Sequence, residues 1–367
     1  AIMRGNGELA DAYIADFVKS IRDYYYIAPF TLDSVAANPQ KTLQQLNDYD
    51  LIVEAKPTEA YTEQEKLVLD QYTMNGGKSL WLLENVKAEK DSLFTNEENK
   101  LLAFYNDLNL TDFFFQYGAR VNPEIVNDVY SAPIVLARGS GENTQFNPYP
   151  WFYEPMATST NNHPIVNNIE AVKFNFANPI DTLKNNIQKT ILLQSSKFSK
   201  LEGVPTQISL QELIQEKPDR STYTAGEQNL AVLLEGEFTS VYKNRIQPFQ
   251  VNDYKETSAE NKILLVSDGD VIKNSTRNGQ PQALGYDPMT ATTYGNKEFL
   301  VNAVNYLLDD KGLLKIRSKE VKLAFLNTNR VAAERLQWQL VNIALPLVIL
   351  GVFGFIFTWY RKKKYIK

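Results

Sequence analysis

Residues 341–360, VNIALPLVILGVFGFIFTWY, are twenty consecutive positions without a charge. A helix rises about 1.5 Å per residue, so this run spans roughly 30 Å, the thickness of a bilayer's hydrocarbon core. Its polar atoms are confined to Asn342, Thr358 and the ring ends of Trp359 and Tyr360. Pro346, Gly351 and Gly354 break helices in water but are tolerated in membrane-spanning ones, where neighbouring groups satisfy the freed backbone. Trp359 and Tyr360 stand where an interfacial aromatic belt belongs, with Trp338 at the other end. A core helix of a soluble domain is rarely apolar on every face for so long and then closed by Arg361-Lys362-Lys363-Lys364. The sequence therefore predicts a transmembrane helix over 341–360, with the lipid bilayer as a partner. Basic residues collect on the cytoplasmic side, which places the tail 361–367 inside and residues 1 to about 335 outside.

Charge supports this division. The chain of 367 residues carries a formal charge of −5, and five cations fall in its last seven positions, so residues 1–360 carry −10. An acidic body argues against nucleic acid as a partner, because phosphate binding needs a basic face on the folded part. The sequence has no cysteine. That removes disulfides, thiolate metal sites and a cysteine nucleophile together. The single histidine, His163, sits in the turn-like Asn162-His163-Pro164 and reads as a surface residue rather than a ligand. Ala1-Ile2-Met3-Arg4-Gly5 has no charged n-region followed by an apolar run. Since an exported domain needs an export signal, the expectation is a chain that starts within a longer protein.

The first ninety residues alternate strand and helix patterns: a strand end at Ala1–Arg4, a helix over Leu9–Asp23, a β-prone Tyr24–Leu32, a short helix at Thr42–Asn47, a strand over 50–54, a helix from Thr62 through Tyr72 and a strand over 78–83. Such spacing implies βαβ units and a parallel sheet. A helix is predicted near Asn96–Leu108. Beyond it, strands are predicted at Phe113–Val121, Pro133–Arg138, Trp151–Met156, Val172–Phe176, Thr190–Leu193 and Leu230–Leu234. The α/β rhythm returns with a strand at Lys262–Val266, a helix at Asn296–Leu308 and a last strand at Val321–Phe325. The expected organisation is an α/β domain over 1–90 and 256–330, a β-rich insertion or second lobe over 91–255, a stalk over 331–340, the membrane helix and the tail.

Three places could carry chemistry. Gly5-Asn6-Gly7-Glu8 lies between a strand and a helix, where anions bind at helix N-termini, although a capped turn explains it too. Glu84 follows the strand ending in Leu83, where hydrolases of this architecture hold a nucleophile, but no Ser or Cys occupies the turn and Gly-x-Ser-x-Gly is absent. Asp268 and Asp270 follow another strand and could hold Mg²⁺ or Ca²⁺, though two aspartates without a third ligand are ordinary turn residues. Asn6, Glu8, Glu84, Asp268 and Asp270 are therefore candidate binding residues, with no catalytic residue, metal or cofactor assigned. No Walker motif is present, so ATP hydrolysis would belong to another chain.

The ordered set Gly5-Asn6-Gly7-Glu8, Gly76-Gly77-Lys78, Tyr117-Gly118-Ala119-Arg120-Val121-Asn122-Pro123, His163-Pro164-Ile165-Val166, Leu233-Leu234-Glu235-Gly236, Ser267-Asp268-Gly269-Asp270 and Tyr294-Gly295-Asn296-Lys297-Glu298 resembles the gliding-motility ABC transporter auxiliary family GldG of Bacteroidota. The resemblance covers nearly the whole chain. It implies a class I glutamine amidotransferase-like, flavodoxin-like α/β sheet that has lost amidotransferase chemistry. It also implies a non-enzymatic subunit of the inner membrane with its bulk in the periplasm, partnered by an ABC permease and a separate ATPase, and an upstream membrane helix. The cargo is not readable. Two other readings stay open at this point: a membrane-anchored hydrolase using paired carboxylates, and a sensor or scaffold ectodomain.

Overall fold

The computed structural model describes residues 1–95, 98–138, 144–159, 161–211, 219–309 and 328–365. The chain divides into two units, Ala1–Ser318 and Lys319–Lys367. In the first, strands β1 (Ile2–Arg4), β2 (Pro29–Thr31), β3 (Leu51–Ala55) and β4 (Lys78–Leu82) alternate with helices α1 (Asp11–Ile21), α2 (Pro39–Leu46) and α3 (Glu63–Met74). Helix α1 forms on Ile14, Phe17 and Ile21, which recur at helical spacing and are all buried. Helix α2 starts where the Asn38 side chain accepts from Lys41 N, with Pro39 in the first turn. Helix α3 starts with a reciprocal capping box between Thr62 and Glu65. It ends at a glycine pair, and a Cβ on Gly77 would lie 2.2 Å from the Tyr72 ring, so the turn back to β4 needs a bare backbone there.

After β4 the chain leaves the sheet. Strands β5 (Val86–Lys87), β6 (Lys100–Tyr105), β7 (Ala119–Val121), β8 (Glu124–Asp128), β9 (Ser131–Arg138), β10 (Gln145–Ala157), β11 (Val172–Lys173) and β12 (Ile180–Thr182) build small sheets, with helices α4 (Ser92–Thr95) and α5 (Thr111–Tyr117) among them. Strand β13 (Gln188–Gln194) then enters the main sheet, while β14 (Ser199–Gly203) and β15 (Thr206–Ser209) pair with β8 and β6. Strands β16 (Asn229–Thr239) and β17 (Thr257–Val266) complete the main sheet, whose order is β13-β16-β17-β4-β3-β1-β2. Helix α6 (Asn296–Leu307) follows.

From β2 to β17 all neighbouring strands are parallel, and β16 and β13 add an antiparallel edge. Counted alone, the parallel strands run in the order 2-1-3-4-5, a doubly wound order in which ligands bind outside the strands' carboxyl ends. Both faces are buried. Ile2, Val53, Leu80, Leu264 and Val266 pack with α1 and α6 through Phe17, Phe299 and Leu300. Met3, Ile52, Trp81, Ile263 and Leu265 pack with α2 and α3 through Leu43, Leu67 and Tyr72. This is why β3 reads as a continuous buried run rather than an alternating one.

Several local expectations are corrected. Lys100–Tyr105 is strand, not helix: Leu101 and Ala103 are buried while Leu102 and Phe104 are exposed, the period of a sheet with one wet face. Positions 96 and 97 of that expected helix lie outside the described residues. Thr111–Tyr117 is helix, not strand, because Phe113, Phe114 and Tyr117 bury one helical face and Gly118 ends it with φ +96°. Only Pro29–Thr31 of the aromatic stretch before Leu32 pairs as strand, and Tyr24 and Tyr26 are exposed. Strands β13 and β16 arise inside 91–255 yet belong to the main sheet. The strand expected at Val321–Phe325 lies outside the described residues.

In the second unit, helix α7 (Thr328–Tyr365) runs unbroken through Pro346. Among the described residues, Gln339–Lys364 within it is the one stretch long and apolar enough to cross a membrane, and its apolar side chains are exposed.

Candidate functional site

Because β1, β3, β4 and β17 are parallel, the residues after them converge on one edge of the sheet. Lys56 follows β3 with φ +58°, a left-handed conformation that costs a side-chain-bearing residue energy. Its amide donates to Leu82 O at 3.0 Å, which ties the turn to β4. Gly269 lies against it. A Cβ at Gly269 would fall 2.4 Å from Lys56 Cβ and 2.9 Å from Cα, so only glycine allows this approach. The turn after β17 thereby brings Asp270 to Lys56.

The Lys56 ammonium has three N–H groups and meets three carboxylates: Asp270 Oδ1 at 2.8 Å, Glu89 Oε1 at 3.0 Å and Glu84 Oε1 at 3.2 Å. Its side chain is 3% exposed. Asp268 is fully buried and accepts from Asn175 N at 2.6 Å and Asp270 N at 2.7 Å. Asn175 Nδ2 donates to Asp270 Oδ2 at 2.7 Å. Burial works against the charge on Lys56, but Glu84, Asp270 and Glu89 outweigh it and raise its pKa. Burial raises Asp270 too, yet Lys56 and Lys273 hold it below the ordinary carboxylate range. Burial pushes Glu84 well up against the pull of Lys56, and burial with the neighbouring Asp270 pushes Asp268 up to about 7.

Glu84, Asp268 and Asp270 offer oxygens within 4.8 Å of one another, so the third carboxylate beside the two aspartates is Glu84, a sequence candidate whose association with them the sequence did not reveal. Two of the three already bond to Lys56, which supplies the positive charge that a metal ion would bring. Beside this cluster opens a cleft of about 480 Å³, walled by Tyr13, Glu154, Lys173, Asn175, Asp270 and Lys273. Glu154 pairs with Lys90 and lies 3.7 Å from Lys173, which also reaches Asp287 at 3.4 Å.

Asn6 and Glu8 belong to a different group. The Asn6 amide donates to Glu8 Oε2 at 3.0 Å, and Asn6 O accepts from Thr58 N and Glu59 N, both at 2.9 Å. Glu8 neighbours Glu54, which is fully buried and accepts from the Tyr61 hydroxyl at 2.9 Å. Burial raises both carboxyl pKa values, and Glu8 raises Glu54 further. The five sequence candidates therefore separate into a Lys56 group (Glu84, Asp268, Asp270) and a Glu54 group (Asn6, Glu8).

A family model described as an ABC-type uncharacterized transport system matches residues 1–303. The chain belongs to that family of transport-system auxiliary proteins. The comparison with curated proteins finds no significant match. Among solved structures, the mmIFT52 N-terminal domain is 14% identical with a TM-score of 0.45, covering 84% of this chain and 97% of that one. The cytoplasmic protein STM3548 from Salmonella typhimurium is 11% identical with a TM-score of 0.37, covering 82% and 87%. At those TM-scores neither likeness bears on what a member of the transport family binds.

Sequence reasoning missed Lys56, although a lysine directly after a fully buried strand run and before Pro57 is a local signal for a buried cation at a strand end. Glu89, Glu154 and Asn175 carry no such signal. They reach the cleft only because the excursion between β4 and β13 folds back over the strand ends.

Proposed function

We propose that this chain is a non-catalytic accessory subunit of an ABC transporter of the gliding-motility type. Its first unit would stand in the periplasm, and its C-terminal helix would cross the inner membrane with the basic end in the cytoplasm. The observation that carries this reading is the family match over 1–303. The exposed apolar helix beyond it supports the anchor, and the 2-1-3-4-5 strand order supports kinship with class I glutamine amidotransferase-like folds. The position where a doubly wound hydrolase carries its nucleophile holds Glu84, buried and bound to Lys56. Glu84 and Asp270 are committed to the Lys56 ammonium and brace one wall, so we read the neighbouring cleft as a binding site.

Co-purification tests the reading. An affinity-tagged chain extracted in mild detergent should bring down a multi-spanning permease and an ATPase containing a Walker motif. A chain that is recovered folded from the membrane fraction without either would overturn it.

A further inference from the structure

The cleft wall carries unused hydrogen-bond acceptors. Met156 pairs with Lys173 and Ala157 with Val172, and the register continues through Phe174 N to Pro155 O at 3.0 Å and Phe176 N to Tyr153 O at 2.8 Å. It therefore sets Glu154 opposite Asn175 on one face of the ribbon, as close cross-strand neighbours. Glu154 is 2% exposed, and its Oε2, 3.7 Å from the Lys173 ammonium, accepts no hydrogen bond among the described residues; nor does Asn175 Oδ1. Both side chains line the cleft. A buried acceptor left without a donor is costly, and two side by side in a cleft wall call for a ligand that donates twice.

Charge narrows the class. Lys90 and Lys173 already flank Glu154, so a third cation would meet two ammonium groups. A hydroxyl suits the wall better, because it donates to Glu154 Oε2 or Asn175 Oδ1 while its oxygen accepts from the lysines. A peptide, whose amides are spaced along a chain with side chains between them, matches this dense donor-and-acceptor wall less well. Tyr13 and Tyr286 also line the cleft, with the Lys273 ammonium 5.5 Å over one face of the Tyr13 ring, and tyrosine rings are of the kind that cover the apolar side of a pyranose. A volume of about 480 Å³ lies in the range of small-ligand sites. We propose that this cleft binds a neutral saccharide, with vicinal hydroxyls on Glu154 and Asn175. The proposal rests on reading the cleft as a binding site and is tested apart from complex formation.

The full chain, held in a polyoxyethylene detergent that carries no sugar, would be titrated with glucose, mannose, galactose, N-acetylglucosamine and their β-linked disaccharides. Saturation-transfer NMR would report binding. At least one saccharide should bind saturably, and Glu154→Gln and Asn175→Ala should each weaken it about tenfold or more, the scale of one lost hydrogen bond with its partner left bare. Tyr13→Ala, on the rim, should weaken it less and covers the case in which a wall variant fails to fold. No saturable saccharide, preference for spermidine or tetraglycine, or binding that survives both wall substitutions would overturn the proposal. Saccharide binding without co-purified transporter subunits would instead fail the transport reading alone.

Discussion

Two groups of buried carboxylates sit at the same edge of the main sheet and are held in opposite ways. Around Lys56, Glu84, Asp270 and Glu89 share one ammonium, and the lysine stays charged. Around Glu54, the preceding residues of the same strand end, Glu8 and Glu54 lie together with the Tyr61 hydroxyl, and Glu54 forms no ion pair among the described residues. The strand's alternation causes the difference. Glu54 shares its face with Ile52, towards α3, whereas Lys56 turns beyond the strand end to meet Gly269 and Asp270. Where a cation is built in, Lys56 and Asp270 hold their charges and pull against the burial that raises Glu84; around Glu54 no cation opposes burial, and the proton is favoured.

Removing the cation is the most direct way to break this contrast. Lys56→Met keeps most of the apolar stem but leaves three carboxylates facing one another. Losing one partner of a buried ion pair costs about 3–5 kcal/mol, and urea unfolding of the full chain at pH 7 should show a loss of that order. A loss below about 1 kcal/mol would mean that the cluster protonates freely and that the two groups are alike.

Next in size is the pH dependence of Glu54. Its folded pKa is raised by burial and then by Glu8, so above its ordinary value of 4.5 the native state keeps a proton that the unfolded chain has released. Stability from this group is greatest in acid and falls as pH rises through the window between 4.5 and the folded value, at most about 1.4 kcal/mol per pH unit. Glu54→Gln removes that fall. Unfolding free energies measured from pH 5 to pH 8 should therefore converge on wild type in acid and rise above it in base. Asp268, raised to about 7, adds a slope of the same sign to both proteins and does not mask the difference. Parallel curves would show that Glu54 is ionised in the fold, with an unrecognised cation nearby.

The two groups were unequally legible in the sequence. The fold's parallel half was readable because each element announces itself: Leu51-Ile52-Val53 as a buried run, Thr62 and Glu65 as a cap, Ile14, Phe17 and Ile21 as one helical face. Asp268 and Asp270 were readable as candidates because strand ends are where such folds bind ligands. Their association with Glu84 was not, since it depends on β17 lying beside β4, a pairing across some 180 residues that no local pattern encodes. The Phe113–Phe115 run misled because three aromatics suit a strand as well as a helix, and burial of Tyr117 decides between them only in three dimensions. The orphan acceptors of the cleft were the least visible of all, because an unused oxygen is defined by what fails to reach it.

The smallest expected effect sharpens the comparison most. Tyr61→Phe removes the hydroxyl that donates to Glu54 Oε2, the one contact that favours the charged carboxylate. At pH 5, where Glu54 holds its proton, the loss should be about 1 kcal/mol, the net worth of an ordinary hydrogen bond. As pH rises the loss should grow, because the hydroxyl then faces a carboxylate and charge-assisted bonds are about twice as strong. In the Glu54→Gln background the same substitution should cost a constant amount at every pH. A Tyr61→Phe loss that stays level from pH 5 to pH 8 in the native background would mean that the hydroxyl never meets a charged group. The proton on Glu54 would then be a permanent part of the fold, as fixed a counterion as the ammonium of Lys56.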